Sequence, residues 1–205
     1  MEERVITCRL ADGSEILIRC PGVDRDLARL LSFYAQLPAA MKNHLRYDVG
    51  ANREVGAARL LQLDDQNHWR LVAEREDGTF VGDGTMDREP FGWIRHIAGI
   101  RIVAGVGFEE LGVREAVCEE LIRVARRSGI ERVETEVLPD DESYIRFLSK
   151  LGFEREVVRK NRAKGIDGKL HDLLVMSNDL EGVWKRLEEN IKDLDISFAR
   201  WAGSQ

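Results

Sequence analysis

The chain has no long apolar run. No stretch of about 18 consecutive apolar residues occurs, and the opening MEERVITCRL carries nothing of signal-peptide length. A membrane span and a secretory leader are therefore not expected, and the cytoplasm is the expected compartment. Cysteine is scarce: Cys8, Cys20 and Cys118 are odd in number, far apart and free of any Cys-x-x-Cys pairing. That excludes a thiolate metal cluster or a disulfide framework as an expectation and suits a reducing compartment. A basic surface is lacking too. Lys and Arg total 31 against 37 Asp and Glu, a net charge of −6, which argues against nucleic acid, whose phosphates need a cationic surface. Internal repeats and low-complexity segments are absent.

What is present is the composition of a globular domain, 43% hydrophobic and 33% charged over 205 residues. A chain of that length buries most of its unfolded surface and needs no metal or disulfide to fold. Alternating apolar runs predict strands at Val5–Leu10 and Glu15–Arg19, joined through the turn-forming Asp12-Gly13. Asp24 reads as the cap of a helix with Leu27, Leu30, Leu31 and Tyr34 on one face. A short helix over Ala39–Arg46 and loop over Asn52–Asn67 follow. A hairpin is predicted from Trp69–Glu74 and Thr79–Met86 across Glu76-Asp77-Gly78.

The stretch Arg95–Ala104 is nearly continuously apolar, as in a strand buried on both faces. A helix over Gly112–Ser128 presents Val113, Ala116, Val117, Leu121, Val124 and Ala125 on one side, and Gly129 stops it. Arg132–Leu138 is the next strand, and Asp140 or Asp141 caps a helix over Ser143–Leu151. Phe153–Arg159 and His171–Ser177 form a last hairpin. Asn178 and Glu181 have the spacing of a capping box, ahead of a helix striped by Val183, Leu187, Ile191 and Leu194. Strands and helices alternate in the middle while both ends supply hairpins. That predicts an α/β chain with a mixed sheet and helices on both faces. The expected organisation is a domain over 1–180 and a terminal helix and tail over 181–205.

The segment from Arg101 to Phe153 carries the chemistry. A strand-to-helix junction such as Gly105–Arg114 offers unpaired backbone N–H groups and the positive end of a helix dipole, both suited to phosphate. The run HIAGIRIVAGVGFEELGV at His96–Val113 is followed by Leu138-Pro139-Asp140, Leu151-Gly152-Phe153 and His171–Met176. In that order they resemble the GNAT superfamily of N-acetyltransferases, most closely its bacterial protein-acetyltransferase branch. The resemblance spans about Arg9 to Leu180. It implies an acyl-CoA N-acyltransferase fold, acetyl-CoA or another acyl-CoA as co-substrate, and an amine acceptor, either a small molecule or a protein lysine. It places the cofactor along Ile102, Val103, Ala104, Glu109, Glu110, Leu111, Gly112, Val113, Arg114 and Asp141.

Several positions depart from the family pattern. In the phosphate loop only Gly112 is kept; Glu109 replaces a Gln or Arg, and Arg114 a small residue. Gly105-Val106-Gly107 is an offset alternative if the helix begins near Phe108. The family's catalytic Glu on the central strand corresponds to Gly99, and its Tyr on the short helix to Leu148. Tyr144, one turn earlier, is the candidate acid, set against a packing role. Glu134 and Glu136 project from one strand face and are candidate bases, set against a solvated face. Asp83 and Asp87 could draw an amine. His96, His171 and Cys118 read more readily as structural groups, and Trp69, Trp93 and Trp184 as core or interface anchors. The basic run Arg155–Lys164 reads as a solvated hairpin that a CoA phosphate could use. The functional expectation is an N-acyltransferase. The rival readings are a catalytically silent ligand sensor and an interaction module using the last helix, for instance as a homodimer.

Overall fold

The computed structural model describes residues 5–42, 67–165 and 168–180. Its strands are β1 (Ile6–Arg9), β2 (Glu15–Arg19), β3 (His68–Glu74), β4 (Phe80–Arg88), β5 (Ile97–Ala104), β6 (Arg132–Val137), β7 (Glu154–Lys164) and β8 (Leu170–Asp179). Its helices are α1 (Val23–Gln36), α2 (Ala39–Lys42), α3 (Val113–Arg127) and α4 (Glu142–Lys150). The strands form one mixed sheet in the order β1-β2-β3-β4-β5-β6-β8-β7. Every pairing is antiparallel except β5 with β6, which α3 connects.

Helices cover both faces. On one, Val113, Val117, Cys118 and Leu121 of α3 and Tyr144, Ile145 and Leu148 of α4 pack on Leu71, Met86, Ala98, Ile100 and Val133. On the other, Leu30, Phe33, Tyr34 and Leu37 of α1 pack on Val72 and Phe80. The close seat of α3 needs glycine beneath it. A methyl at Gly82 would lie 2.6 Å from Val113 Cγ1, and one at Gly84 would meet Val117 and Leu121.

The parallel pairing of β5 with β6 is short. It runs from Ile97 opposite Arg132 to Ile100 opposite Thr135 and stops. Beyond it Arg101–Ala104 continues to pair with β4 alone, and Glu136–Val137 with β8 alone. The sheet therefore forks between Arg101 and Glu136. The fork opens towards the α3 and α4 N-termini.

Three expectations change. The first helix is capped by Gly22, not by Asp24; Asp24 sits in the first turn, and the Gly22 N–H donates to the Asp26 carboxylate. The central strand starts at Ile97, after a turn closed by its N–H on the Ile94 carbonyl; it alternates between half-buried and buried residues as far as Ile100, and Arg101, Ile102 and Val103 are all half-buried. Its deeply buried residues, Ala98, Ile100 and Ala104, all lie on the α3 face. The last hairpin is longer than expected, because β7 continues through a bulge to Lys164. The proposed capping-box Glu181, the terminal helix with Trp184 and the second half of the Ala39–Arg46 helix lie outside the described residues, as does the 52–66 loop.

Candidate functional site

The loop from β5 to α3 turns twice before the helix starts. The Phe108 N–H donates to the Gly105 carbonyl, and the Leu111 N–H to that of Phe108. The helix begins at Val113, not near Phe108, which removes the condition for a phosphate site at Gly105–Gly107. Gly105 is buried against Phe33 and the Val81 backbone. The N-cap of α3 is Gly112, held at φ 94° with no side chain capping the helix and open space where a Cβ would be. That left-handed backbone favours glycine. The first-turn amides of α3 are left without a side-chain cap, a ready acceptor for an anion.

Around this end, Ile102 packs into the α3-side core and Val103 against the α1 cluster, while Ala104 is buried. The Leu111 carbonyl accepts from the Ala11 N–H, which ties the loop to the first hairpin. Glu110 is exposed and Glu109 half-buried, so both carboxylates have a route to solvent. Arg114 donates through both terminal nitrogens to Asp141, one at 3.3 Å, and its guanidinium carbon lies 4.4 Å from the Tyr144 ring centre. Asp141 is the N-cap of α4, accepting from the Tyr144 N–H at 3.3 Å. Burial pushes its carboxyl up, but the hydrogen bond and charge of Arg114 outweigh that and hold it below its ordinary value.

Among the described residues, three buried polar atoms here have no hydrogen-bond partner within ordinary geometry: Arg114 Nε, Glu115 Oε2 and the Tyr144 hydroxyl. The Tyr144 side chain is fully packed, with its hydroxyl near the Cys118 thiol. Tyr144 therefore faces α3 and not the opposite face of the sheet.

The opposite face is polar. Cross-strand register aligns His68, Asp87, Gly99 and Glu134 in one row. Gly99, where the family pattern has Glu, lies between two carboxylates on neighbouring strands. A Cβ there would meet nothing closer than Arg101 Nη2 at 3.9 Å. Asp87 is doubly engaged, by Arg101 Nη1 at 2.7 Å and His68 Nδ1 at 2.8 Å. Among the described residues Glu134 has only a loose contact to Arg132 at 3.5 Å, and Glu136 accepts from Arg159 at 2.8 Å. Gly99, Arg101, Glu134, Glu136, Arg159 and Arg162 line a depression of about 180 Å3 at the base of the fork.

The structure thus brings Glu134 and Glu136 together beside Gly99, and Arg114 and Asp141 together at the helix ends. Tyr144 stands with the second group. Asp83 is unavailable to a substrate: it is buried, accepts from Arg70 at 2.7 and 2.8 Å, and accepts from the Tyr34 hydroxyl. His96 is a strand-end residue whose carbonyl accepts from Glu131 and Arg132. His171 Nε2 is buried without a partner. Trp69 is core, whereas Trp93 is 94% exposed beside Phe91. Arg101 was not foreseen as a site residue, and Arg162 was read only as part of a solvated basic hairpin that a CoA phosphate could use. A lone arginine inside the apolar run of β5 was the available signal for the first.

No family model matches the chain, and no curated protein matches it. Solved structures do. A GNAT-family acetyltransferase from Streptococcus pneumoniae is 24% identical over 80% of this chain and 99% of its own, with a TM-score of 0.67. The GNAT domain of PAT from S. lividans is 23% identical over 85% and 96%, with a TM-score of 0.68. The chain has the GNAT fold. YncA of Salmonella typhimurium, solved with its cofactor acetyl-CoA, matches it at 20% identity over 80% of this chain and 94% of that one, with a TM-score of 0.68. The fork between β5 and β6, the uncapped α3 and the carboxylate-lined depression are therefore set in a GNAT framework, while identities this low leave the activity to be argued from the residues.

Proposed function

We propose that this protein is an acyl-CoA-dependent N-acyltransferase that transfers an acyl group, acetyl in the simplest case, to an amine. The observation that carries the reading is the fork. On one face it meets an uncapped helix N-terminus, and on the other a carboxylate-lined depression, so two substrates can approach one point from opposite sides. The donor residues fit a CoA pyrophosphate: the α3 first-turn amides, Gly112 with room for close approach, and Arg114 with an unused Nε–H. When bound, the CoA thioester supplies the activated acyl carbon.

Glu134 is the assigned base. It occupies the row of Gly99 and is the least committed carboxylate at the fork. Its carboxylate takes the proton that leaves the attacking nitrogen as the C–N bond forms and the C–S bond breaks. Arg101 and His68 hold Asp87 in place beside it. The departing thiolate takes its proton from solvent, since the Tyr144 hydroxyl is buried against α3. A ligand sensor without turnover is the second reading, favoured by the absence of a carboxylate at Gly99 itself.

Thermal unfolding with acetyl-CoA, and with free CoA as control, tests the cofactor half. At about a hundred times Kd, binding adds roughly 2.7 kcal/mol. That should raise Tm by about 5–11 °C in a domain of this size. No rise at millimolar ligand would sink the proposal. A rise without CoA release in the presence of any amine would favour the sensor. Where turnover is found, Glu134→Gln should lower kcat by about a hundredfold or more with KM for acetyl-CoA unchanged.

A further inference from the structure

Strand β7 is irregular where it passes the depression. From Arg159 to Ala163 it advances four residues while its partner advances only two, from Leu173 to His171. The surplus is a bulge centred on Asn161, whose φ of 52° is left-handed. Asp172 holds it: one carboxylate oxygen accepts from the Asn161 N–H at 2.9 Å, the other from Lys160 Nζ at 2.7 Å. In a regular strand Arg159 and Arg162, an odd number of residues apart, would point to opposite faces. The bulge lets both line the same depression.

The charges there are unequally partnered. Three guanidiniums, of Arg101, Arg159 and Arg162, meet two carboxylates, of Glu134 and Glu136. Arg159 is engaged by Glu136 and Arg101 by Asp87. Arg162 has no ion pair or hydrogen bond among the described residues. A volume of about 180 Å3 is below the range of drug-sized pockets, which suits a ligand of few heavy atoms. A polyamine, which brings only cationic groups, would leave the Arg162 guanidinium unmatched. An acceptor carrying an acid next to its amine would be matched by it.

We propose that the depression is the acceptor subsite and that it takes a small free α-amino acid, with the amine against Glu134 and the carboxylate on Arg162. This rests on the acyltransferase reading above for its chemistry, and on the depression alone for its binding.

Two measurements separate them. The first is the initial rate of CoA release with the common L-amino acids, each beside its α-amide, which keeps the amine and loses the carboxylate. At least one amino acid should be acylated, with its amide poorer in kcat/KM by about 10–100-fold. Arg162→Ala should raise KM for the amino acid by a similar factor and leave KM for acetyl-CoA unchanged. Arg162→Lys should restore part of it. The second is calorimetry of the same amino acids without cofactor, on the wild type and on Arg162→Ala, which reads the subsite even where acetyl-CoA fails to bind. Amides or polyamines used as well as the acids would overturn the proposal. So would acetyl-CoA binding with no transfer to any amino acid, or amino-acid binding that is absent or indifferent to Arg162→Ala. A failure of acetyl-CoA to shift Tm would overturn the acyltransferase reading instead.

Discussion

Arg114 and Asp141 tie together the N-termini of α3 and α4. The guanidinium donates to the carboxylate that caps α4 and lies over the ring of Tyr144 one turn on. The pair is largely shielded, with side chains 15% and 19% exposed. Removing the carboxylate therefore loses both the cap and the ion pair. Asp141→Ala should destabilise the fold by about 1–2 kcal/mol, read by urea denaturation. The sign with pH follows from the depressed carboxyl. The contribution is complete above the ordinary aspartate value of 3.8 and is lost as pH falls through the lower folded value. The gap between wild type and variant should close in acid. A gap independent of pH would mean the carboxylate charge is not what matters.

The same arginine decides between two pictures of the phosphate end. As a donor with a spare Nε–H, Arg114 should aid CoA binding, and Arg114→Ala should weaken acetyl-CoA by about 10-fold or more. Affinity that rises in the variant would make its bulk an obstruction.

A second network, remote from the fork, anchors α1 to the sheet. Buried Arg19 donates to Asp26 at 2.6 and 3.0 Å and to Glu74 at 2.8 Å twice, and Arg29 bridges the same two carboxylates. Burial works against the Asp26 charge, yet Arg19 and the Gly22 N–H hold its carboxyl far below the usual range. Removing one partner leaves buried charge uncompensated. Asp26→Ala should cost about 3–5 kcal/mol in denaturant unfolding, with acetyl-CoA affinity unchanged once the protein is folded. Its pH dependence has the sign of Asp141, with the contribution lost only in stronger acid. A loss below 1 kcal/mol would show that the network merely decorates the junction.

How much of this was legible depended on distance along the chain. Local patterns placed β2 at Glu15–Arg19, α3 within a residue of its ends, and the α4 cap at Asp140 or Asp141, of which the structure uses Asp141, because turn chemistry and apolar spacing act over a few residues. Asp83 read as a free carboxylate because its partners, Arg70 and Tyr34, lie 13 and 49 residues away. Asp24 looked like a cap because the Gly22 N–H is instead satisfied by Asp26, a residue committed to the buried network. The bulge that brings the exposed Arg162 to the same depression as Arg159 depends on Asp172 of the opposing strand, and a single strand read by its alternation of two could not reveal it. The fold was thus written in short-range signals, whereas the site depends on cross-strand register.

Gly84 offers a test of how α3 is seated. Any methyl there would press on Val117 and Leu121, which are fully buried. Overpacking of this kind costs about 1–3 kcal/mol and moves backbone. Gly84→Ala should therefore lower stability by that amount and, if the proposed cofactor site is right, also weaken acetyl-CoA, because the helix it displaces carries at its N-terminus the amides assigned to the phosphates. Loss of stability with unchanged affinity would separate the helix seat from the cofactor site.

The last prediction concerns the buried Tyr144 and Cys118. Burial pushes the Cys118 thiol up to about 12, so it carries almost no thiolate at neutral pH. Cys8 and Cys20 are only partly buried. Alkylation by iodoacetamide at pH 8 should label Cys8 and Cys20 well before Cys118 in the native protein, and all three equally in urea. Tyr144 shares that dry environment with a hydroxyl that has no hydrogen-bond partner. The Cys118 thiol is a weak hydrogen-bonding group, so deleting the hydroxyl removes a desolvation penalty and at most a weak contact, and Tyr144→Phe should change stability by no more than about 1 kcal/mol. It should also leave CoA release unchanged. Fast labelling of native Cys118, or a large fall in turnover in Tyr144→Phe, would place these side chains in reach of the cleft and reopen Tyr144 as the acid.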